Sequence, residues 1–497
     1  MKLKLKNFNW LAGRPVVILN DKTAKKLNVH VDERVFLKRD SKKLYAVVDI
    51  FPKLVHEGEI GVSNEISSFF KAHNNSLIEV GSSELSPAGQ LIKKKISGHS
   101  LSESELNLLI SEIVQNNLTE PEIAYFVAAE KLHGLSIKEI IYLTKAMIKN
   151  GSRINFDHKI IADKHCIGGI AGNRTTPILV SICAAAGLTL PKTSSRAITS
   201  AAGTADVIET MSKVEFSTQE IKNIVQKTNA CLAWGGSLGL APSDDKIIQV
   251  ERILNLDVEP QLLASIMSKK ISAGSNRVLI DIPYGKSAKV ETEKKARELG
   301  LKFKKIADSF KLKLDFVITD GKQPIGNGIG PILEMRDILE VLKNSKDAPQ
   351  DLKDKSVFLA AQLMKLCGIK NSSKKALEIL ESGQAYKKFI EIINTQNNKS
   401  LNSSDFKKRV SGLKLAKFRK TIHSEKNGKI KEIDNHKINS LCHILGTPET
   451  TSAGIYLHKH LENVKKHEPL LTLYSESKSK LLDGIKFFKE FKPIKIN

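Results

Sequence analysis

Two segments near the middle of the chain combine glycines, hydroxyl side chains and basic groups in a spacing that suits the binding of an anion. The first, DKHCIGGIAGNRTT (residues 163–176), places Lys164 and three glycines between two apolar stretches. The second, KTSSRAITSAAGTAD (residues 192–206), carries six hydroxyl side chains and one arginine. A glycine-rich loop that follows a strand and opens a helix presents backbone N–H groups and a positive helix end, which favour phosphate. We call these the glycine segment and the hydroxyl segment, and we predict that they bind phosphate.

Each segment supplies its own type of contact. In the glycine segment, Lys164 provides a positive charge, and the glycines allow a ligand to approach the backbone closely. In the hydroxyl segment, Arg196 stands among hydroxyl groups that suit phosphate and sugar oxygens. The alternative interpretation of the glycine segment is a tight turn that carries a buried histidine, His165. The candidate contacts are Lys164, Gly168, Gly169, Gly172, Thr175, Thr176, Ser194, Ser195, Arg196, Thr199, Ser200 and Thr204.

Neither segment matches a standard nucleotide-binding loop. The glycine segment lacks the Gly-Lys-Ser/Thr ending of a Walker A loop. A third glycine-rich stretch, GNGIGP (residues 326–331), lacks the last glycine of a dinucleotide-binding fingerprint. We therefore interpret GNGIGP as a turn.

The sequence around the two segments alternates between strand, loop and helix from residue 156 onward. Predicted strands are KIIAD, LTLPK, RVLIDIPY and LDFVITD, and predicted helices are TTPILVSICAAAG and GTADVIETM. This alternation is typical of a mainly parallel α/β sheet. Because parallel strands end at the same edge of a sheet, we expect both segments at one edge, where such sheets bind ligands.

The rest of the chain predicts further domains. Short runs of alternating apolar and polar residues near the N-terminus, bounded by turn residues, predict a small β-rich domain. Three capping boxes, each a Ser or Thr followed three residues later by Glu, predict helices after it. The predicted fold is a multidomain α/β protein with a mainly parallel or mixed sheet. Its predicted parts are a β-rich domain (1–84), a helical domain (88–155, completed by 243–272), an α/β domain (156–242 and 273–334) and a C-terminal α+β region (335–497).

Composition narrows the class of protein. A length of 497 residues suits roughly two to four domains, and the five scattered cysteines form no CxxC pair, which argues against a disulfide framework or a structural zinc site. The first ten residues lack the apolar stretch of a signal peptide, and the longest apolar stretch is too short to span a bilayer. We therefore expect a cytoplasmic protein without a bound metal.

The net charge of +24 raises the question of a nucleic-acid partner. Most of the excess is lysine spread along the chain, and aromatic residues make up only 5%, without interleaved basic and aromatic side chains. We interpret the charge as solvated lysine, which also attracts a phosphorylated small substrate. We expect no nucleic-acid partner and no membrane partner.

The glycine and hydroxyl segments together resemble the signature of the thymidine phosphorylase family, and more closely that of its longer branch, which includes AMP phosphorylases. The resemblance continues through LLASIMSKK (262–270), YGKSAKV (284–290) and TDGKQPIGNGIGPILE (319–334), and it covers nearly the whole chain. It implies a helical domain and an α/β domain with the site in the cleft between them. It also implies a homodimer or a larger homo-oligomer. No cofactor is implied, because inorganic phosphate is itself a substrate.

The resemblance assigns roles to individual positions. Lys164, Cys166, Ser194 and Thr204 match phosphate-binding positions, and Lys164 and His165 are candidate catalytic residues. The family commonly has serine in place of Cys166, and a thiol donates a weaker hydrogen bond than a hydroxyl, so we expect this phosphate contact to be altered or lost. Positions that match nucleotide contacts are Gly169, Ser195, Arg196, Ala197, Ile198, Thr199, Ser200, Thr204, Ser265, Lys269 and Lys289.

The departing base needs its developing negative charge neutralised. Ser265 and Lys269, four residues apart on a predicted helix, match positions that pyrimidine enzymes of the family aim at the base, and Arg252 is a weaker third match. Asp257 matches the aspartate thought to protonate the purine in AMP phosphorylases, the alternative being a helix cap. An acid that keeps its proton near neutral pH needs burial or a neighbouring carboxylate, and Glu259 is close in sequence.

The predicted function is phosphorolysis of the N-glycosidic bond of a nucleoside 5′-monophosphate such as AMP, giving a free base and ribose 1,5-bisphosphate. Asp257 and Lys289 favour this substrate, whereas Ser265 and Lys269 are also compatible with thymidine, which is the alternative. A phosphoribosyltransferase is more distant, because its glycine-rich acidic metal motifs are not visible. A nucleic-acid-binding protein is supported by charge alone.

Overall fold

The computed structural model describes residues 1–82, 87–197, 200–254, 256–398 and 403–497, with the exception of the Ser403 side chain. The chain divides into two compact units, which are Met1–Gly151 with Ala241–Ser268 and Ser152–Leu240 with Lys269–Asn497. Within these described ranges, no helix has the length and apolar character needed to cross a membrane.

The first unit begins with a closed barrel. The strands are β1 (Lys2–Asn7), β2 (Val16–Leu19), β3 (Arg34–Arg39), β4 (Lys42–Ile50), β5 (Glu59–Val62) and β6 (Leu77–Ser82), accompanied by the short helices α1 (Asp21–Leu27) and α2 (Asn64–Phe70). The order around the barrel is β1-β5-β2-β4-β3-β6. Alternate side chains, such as Leu3 and Leu5 in β1 and Val35 and Leu37 in β3, fill the interior. The prediction of a β-rich N-terminal part is confirmed.

Four helices follow, namely α3 (Ala88–Ile96), α4 (Glu103–Val114), α5 (Glu120–His133) and α6 (Ile137–Lys149). The three predicted capping boxes are present, with Ser102, Thr119 and Ser136 as the N-cap residues of α4, α5 and α6. Each box satisfies N–H groups that the first turn of a helix leaves without a backbone partner. Helix α5 ends at Gly134, and Asn150 caps the end of α6.

The second unit begins with strands that alternate with helices. The elements are β7 (Ala162–Cys166), α7 (Thr175–Ala185), β8 (Leu190–Ser194), α8 (Thr204–Glu209), α9 (Thr218–Thr228) and β9 (Ala230–Trp234). The prediction of a strand at 159–163 is wrong in its bounds, because β7 takes in the first four residues of the glycine segment. Asp163 and Lys164 can occupy a buried strand because each is paired with opposite charge.

Helices α10 (Pro242–Leu254) and α11 (Glu259–Ser272) come next, and the first unit contains them as far as Ser268. Gln261 on α11 donates a hydrogen bond of 2.8 Å to Glu130 on α5. Lys246 on α10 donates to the carbonyl oxygens of Ile113 and Val114 at the end of α4. The helical character predicted for residues 243–272 is confirmed for 243–254 and 259–272, whereas residues 256–258 are not helical and Asn255 lies outside the described residues.

The parallel sheet is completed by β10 (Arg277–Tyr284) and β11 (Lys313–Asp320), with α12 (Glu293–Ser309) between them. Strand β10 pairs in parallel with both β7 and β11, and β8 pairs in parallel with β9. A parallel bridge from Ile161 to Thr189 joins the two groups. All five strands run in the same direction, so the loops after β7 and β8 begin at the same edge, as predicted.

The C-terminal region mixes helices with antiparallel strands. The elements are β12 (Gly328–Ile329), α13 (Pro331–Leu342), α14 (Gln350–Leu366), α15 (Ser372–Glu381), α16 (Gln384–Gln396), α17 (Ser403–Ser411), β13 (Phe418–His423), β14 (Gly428–Ile433), α18 (Asn435–Leu445), β15 (Gly454–Leu457), β16 (Asn463–Val464), β17 (Pro469–Ser475), α19 (Lys478–Phe491) and β18 (Ile494–Ile496). Strands β12, β15, β17 and β13 form one sheet, and β16, β14 and β18 form another.

The architecture confirms the predicted fold class, a multidomain α/β chain with a β-rich start, a helical part, a parallel sheet and an α+β end. The exact domain bounds stay predictions. The first unit holds the barrel together with the helical part, and the second unit holds the parallel sheet together with the C-terminal region. The predicted boundary between 84 and 88 falls largely on residues 83–86, which lie outside the described residues.

Candidate active site

Lys164 is held inside the second unit by groups from neighbouring elements. Its Nζ donates to Thr175 Oγ1 at 3.0 Å and lies 3.6 Å from Asp281 Oδ2 in β10. Lys355 of α14 lies 3.5 Å from the same oxygen, and Thr319 donates to the other carboxylate oxygen at 2.6 Å. Burial raises the pKa of Asp281, but the charges of Lys355 and Lys164 outweigh burial and keep the pKa below its ordinary value. Two ammonium groups for one carboxylate leave surplus positive charge at this edge of the sheet.

A second cluster of the same kind lies on the opposite face of β7, because successive side chains of a strand point to opposite faces. Asp163 accepts a hydrogen bond of 2.7 Å from Lys270 and lies 3.3 Å from Lys192 Nζ. Burial lowers the pKa of Lys192, and Asp163 only partly compensates. The two clusters, centred on Asp281 and Asp163, together create a basic environment beneath the glycine segment.

His165, a predicted catalytic residue, follows Lys164 in strand β7. Burial, followed by the charges of Lys270, Lys192 and Lys164, lowers the pKa of its imidazole well below the ordinary value. The ring is therefore neutral near pH 7 and can exchange hydrogen bonds, but it is not an acid of useful strength. A catalytic role for His165 stays a prediction. In that role the neutral ring would form hydrogen bonds and would not donate a proton as an imidazolium.

Two glycines of the glycine segment are required by close contacts. Gly169 has φ +87°, and a Cβ there would lie 2.5 Å from the backbone nitrogen of Lys289. Gly172 has φ +68°, and its Cβ would lie 2.6 Å from the carbonyl oxygen of Ile325. Only glycine adopts these angles without strain and leaves room for the neighbour. Gly169 and Lys289, both predicted nucleotide contacts, are thus adjacent in space, with the Lys289 side chain exposed.

Cys166 lies directly opposite Asp281 in the pairing of β7 with β10. Asn173 donates a hydrogen bond of 3.4 Å to its sulfur. Burial, followed by the nearby Asp281 charge, raises the pKa of the thiol. Cys166 is therefore a neutral thiol at neutral pH, which makes it a poor nucleophile and a weak hydrogen-bond donor.

The hydroxyl segment is closed by one carboxylate. Asp206 accepts hydrogen bonds from the N–H groups of Ala197 at 2.7 Å and Gly203 at 2.8 Å. A Cβ at Gly203 would lie 2.5 Å from the carbonyl oxygen of Ser195, so the two ends of the loop touch each other. This closure brings together the flanking residues of the loop, Ser194 at the end of β8 and Thr204 at the start of α8.

These flanking residues differ in how their hydroxyl groups are used. Thr204 Oγ1 accepts a hydrogen bond of 2.9 Å from Arg174, which also donates to Glu334 at 2.6 Å and to the Ala202 carbonyl oxygen at 2.7 Å. Ser194 Oγ is buried and has no hydrogen-bond partner within the described part of the chain. A buried hydroxyl without a partner is unfavourable, and an oxygen of a bound anion would satisfy it.

Arg196 is not directed at an anion in this structure. Its guanidinium pairs with Asp206 at 3.3 Å, with Glu215 at 3.1 Å and with Glu209. It also stacks over the Trp234 ring, 4.8 Å from the ring centroid. Arg196 therefore anchors the hydroxyl segment, and its predicted contact with a nucleotide stays a prediction.

The other residues of the hydroxyl segment have mixed environments. Ser195 is exposed, and Ser200 donates to the Ala202 carbonyl oxygen at 2.9 Å. Ile198 and Thr199, two predicted nucleotide contacts, lie outside the described residues. Their assignments stay predictions, as does that of Ala197, whose N–H already binds Asp206.

The prediction of a turn at GNGIGP is wrong in part, because Gly328 and Ile329 form the short strand β12 and Pro331 begins α13. Asp337 accepts hydrogen bonds of 2.7 Å from the N–H groups of both Asn327 and Gly328, and Asp351 accepts one of 3.0 Å from Gly326. The backbone donors that would bind a phosphate are therefore already bound to carboxylates of the protein itself.

Asp257, the predicted acid, belongs to the first unit and precedes α11. Its carbonyl oxygen accepts a hydrogen bond of 3.1 Å from Lys131 on α5. Asp257 is exposed, so the structure does not supply burial, which was one of the two environments considered for this acid, the other being a neighbouring carboxylate. Asp257 lies outside the helices and reaches solvent because the chain between α10 and α11 runs over the surface. Its role in proton transfer stays a prediction.

The residues predicted to act on a pyrimidine lie on α11. Ser265 and Lys269 are one turn apart on this helix, as predicted from their spacing. Ser265 donates a hydrogen bond of 2.8 Å to Asp244 on α10, which fixes the direction of the hydroxyl. Arg252, the weaker match, is exposed on α10.

Sequence reasoning missed several charged residues that support the site. Asp281 offered a signal, because a carboxylate in the apolar strand RVLIDIPY must be paired when it is buried. Lys270, in the apolar helix ASIMSKK, offered a similar signal. Arg174 stood directly before the helix of the glycine segment, but nothing nearby in the sequence identifies Glu334 as its partner. Lys355 carried no signal that separates it from the many solvated lysines.

Two family models match the chain. The helical bundle domain of a glycosyl transferase family matches residues 89–151, and the a/b domain of a glycosyl transferase family matches residues 158–386. The fold and the two loops at the edge of the parallel sheet thus define the class of protein, a glycosyl transferase with a helical bundle and an α/β domain.

Relatives along the full length narrow this class. The AMP phosphorylases of Pyrococcus furiosus and Thermococcus kodakarensis are each 40% identical, over 100% of this chain and 98% of theirs. That of Natronomonas pharaonis is 37% identical over 97% of this chain and 95% of its own. The chain belongs to the thymidine phosphorylase family, in the branch of the AMP phosphorylases.

Among solved structures, anthranilate phosphoribosyltransferase from Thermus thermophilus resembles the chain with a TM-score of 0.50 and 16% sequence identity. The match covers 61% of this chain and 98% of that one. At this identity the likeness concerns the fold alone and does not favour the phosphoribosyltransferase alternative.

Proposed function

We propose that this protein catalyses the phosphorolysis of AMP to adenine and ribose 1,5-bisphosphate. The observation that carries the proposal is the buried Ser194 hydroxyl, which lacks a partner in the described residues where the hydroxyl segment closes. Phosphate is a ligand that satisfies such a group next to surplus positive charge. The name of the full-length relatives, AMP phosphorylase, supports AMP as the substrate.

In the proposed reaction, an oxygen of inorganic phosphate attacks C1′ of the ribose while the bond from C1′ to N9 of adenine breaks. The electron pair of that bond passes to the purine, which takes up one proton. The glycine and hydroxyl segments hold the phosphate, and binding in a near-attack geometry supplies much of the rate. The lysines around Asp281 and Asp163 offset the negative charge of the phosphate.

Asp257 is the proposed source of the proton for the purine. The residue is exposed in the structure. The negative charges of bound AMP and phosphate favour the protonated form of its carboxyl group, since a neighbouring like charge opposes ionisation. Protonation of Asp257 would therefore depend on the bound substrates.

The test is base release from AMP, adenosine, CMP and thymidine, each with and without inorganic phosphate. We expect adenine from AMP, only with phosphate present, and one phosphate consumed per adenine released. Release of adenine without phosphate or an arsenate substitute would identify a hydrolase and overturn the proposal. Faster release from thymidine than from AMP would instead support the alternative substrate.

Ser194→Ala tests the phosphate site within the same assay. We expect the KM for phosphate to rise about tenfold, because a hydrogen bond to a charged ligand is lost. Thermal stability should not change, because the hydroxyl has no partner in the described residues. Ser275→Ala is the matched control, since its buried hydroxyl also lacks a partner there but precedes β10, at the end of the strand away from the site.

We also propose that the protein forms a homodimer or larger homo-oligomer in the cytoplasm, without a cofactor and without a nucleic-acid partner. Exposed apolar side chains support the oligomer. Tyr125 and Leu132, two helical turns apart on α5, are 63% and 77% exposed. Light scattering measures the mass directly, and a monomer at micromolar concentration would contradict this part of the proposal.

A further inference from the structure

One helix of the C-terminal region holds both the glycine segment and the hydroxyl segment. Helix α18 begins at Asn435, and Asn439 lies one turn further along, so the two side chains share a face. Both asparagines are buried. Asp434, the N-cap residue, accepts the N–H groups of His436 and Lys437 and fixes the first turn.

Asn435 connects three pieces of chain around the glycine segment. Its Oδ1 accepts a hydrogen bond of 3.1 Å from the N–H of Ala171. Its Nδ2 donates to Ser287 Oγ at 3.1 Å and to the Gly321 carbonyl oxygen at 3.2 Å. Ser287 stands two residues before Lys289, whose backbone packs against Gly169. The asparagine thus uses both ends of its amide to fix the glycine segment against its neighbours.

Asn439 fixes the hydroxyl segment in a similar way. Its Oδ1 accepts a hydrogen bond of 3.1 Å from the N–H of Ala201. Ala201 and Ala171 are both completely buried, and both belong to the apolar core that α18 forms with the C-terminal strands. Each loop therefore inserts one alanine into this core, and the N–H of each alanine donates a hydrogen bond to an asparagine of the same helix.

We propose that Asn435 and Asn439 are positioning residues that set the two loops relative to each other, which makes the C-terminal region a structural part of the anion site. The family models end at residue 386, before α18 begins, and assign nothing to this helix. Neither side chain acts on the substrate directly. The kinetic consequence of the inference rests on the proposed function, whereas the positioning itself does not.

Hydrogen exchange tests the positioning without turnover. In Asn439→Ala, amide exchange in a peptide covering residues 200–205 should be about fivefold faster than in the wild type, the effect of one lost hydrogen bond of typical strength. Exchange in a peptide covering residues 168–173 should stay within twofold. Asn435→Ala should give the reverse pattern. Asn394→Ala, at a buried asparagine on α16 without side-chain partners in the described residues, is the matched control and should change neither peptide.

Conservative variants provide the rescue. Asn439→Asp keeps an oxygen that accepts from Ala201, so it should retain the slow exchange of 200–205. Asn435→Asp keeps the acceptor for Ala171 but loses the donor for Ser287, so 168–173 should stay slow; this variant also serves if Asn435→Ala does not fold. Equal acceleration in both peptides in either alanine variant, or the same acceleration in Asn394→Ala, would overturn the proposal.

Kinetics supply the second measurement. Both alanine variants should raise the KM for phosphate and lower kcat/KM for AMP about tenfold, with Asn394→Ala unchanged. Changed exchange with unchanged kinetics would overturn the link to the site. If the wild type released no adenine from AMP, the proposed function would fail, while the exchange result would still decide the positioning.

Discussion

Arg174 donates a hydrogen bond of 2.9 Å to Thr204 Oγ1, which ties the end of the glycine segment to the start of α8. The same guanidinium binds Glu334 and the Ala202 carbonyl oxygen. The hydroxyl of Thr204, a predicted phosphate contact, therefore has its direction fixed by a residue of the other segment. The two segments therefore form one site, in which a substitution of Arg174 changes the orientation of the Thr204 hydroxyl.

Arg174→Lys should raise the KM for phosphate about tenfold, because lysine keeps the charge beside Glu334 but lacks the planar fork that reaches Thr204 and Ala202 together. The kcat should change less than the KM. Arg336→Lys is the matched control, because Arg336 also uses its fork on a backbone carbonyl, that of Leu413, within the same unit. An equal rise in KM in both variants would mean that Arg174 acts through general stability.

Lys164→Met should reduce kcat/KM for phosphate about 100- to 1000-fold, in line with the removal of one charged transition-state contact. The variant also leaves Asp281 with one fewer cation, so unfolding must be measured beside activity. Lys95→Met is the control, because Lys95 is an equally buried lysine paired with Glu139 in the first unit. Wild-type kinetics in Lys164→Met would show that the glycine segment is only a turn and does not bind phosphate.

Much of this arrangement was predictable from local sequence. Alternation predicted the β-rich character of the N-terminal part, the capping boxes predicted the helix starts of α4 to α6, and glycine with hydroxyl groups predicted the two segments. The pair of Lys164 with Asp281 was not predictable, because it depends on the register of β7 with β10, which are more than one hundred residues apart. Lys164 looked like a loop residue for the same reason, since only its distant partner allows it into a buried strand.

The exposure of Asp257 was not predictable from the sequence, for a related reason. An acid that keeps its proton near neutral pH needs burial or a neighbouring carboxylate, and the sequence left both possibilities open, with Glu259 close by. Whether a carboxylate between α10 and α11 is covered depends on the packing of those helices, which neighbouring residues do not determine. Asn435 and Asn439 carried no signal either, because their partners lie more than one hundred residues earlier.

Cys166→Ser should keep the activity and leave the phosphate affinity unchanged or improved, because a hydroxyl donates a better hydrogen bond than a thiol. The raised pKa of the thiol also predicts slow reaction with iodoacetamide at pH 7. Steady-state kinetics and mass spectrometry measure the two effects. Loss of activity in Cys166→Ser would instead show that the Cys166 thiol is essential.

The stability of the first unit should fall as pH rises from about 5 to about 8, because burial raises the pKa of Glu130 to about 8. Over that range the folded protein holds a proton that the unfolded chain, with an ordinary Glu pKa near 4.3, has released. Glu130→Gln removes this dependence, so thermal unfolding should show a gain on the order of 3 kcal/mol at pH 8 and little change at pH 5.

Glu139 is the matched control with the opposite sign. Burial raises its pKa, but the N–H groups of Ser136 and Leu101 and the charge of Lys95 outweigh burial and lower the pKa. Its stabilising contribution is present above the unfolded pKa and is lost as pH falls through the folded pKa. Glu139→Gln should therefore lose stability at pH 8. A gain at pH 8 in both variants would contradict the assignment of these two carboxyl groups.

Variants of Asp257 test how the leaving group departs. Asp257→Asn keeps the shape of the side chain but cannot donate an acidic proton, so kcat for AMP should fall about 100-fold or more, with little change in KM.

A substrate whose leaving group needs no proton separates acid catalysis from other roles of Asp257. On 4-nitrophenyl ribose 5-phosphate, Asp257→Asn should be as fast as the wild type, because nitrophenolate departs without protonation. Lys269→Ala on thymidine tests the alternative, in which Ser265 and Lys269 stabilise a departing pyrimidine. A variant that loses the same factor on AMP and on the nitrophenyl substrate would show that Asp257 positions the sugar, and AMP turnover unaffected by Asp257→Asn would remove the carboxyl group from the mechanism.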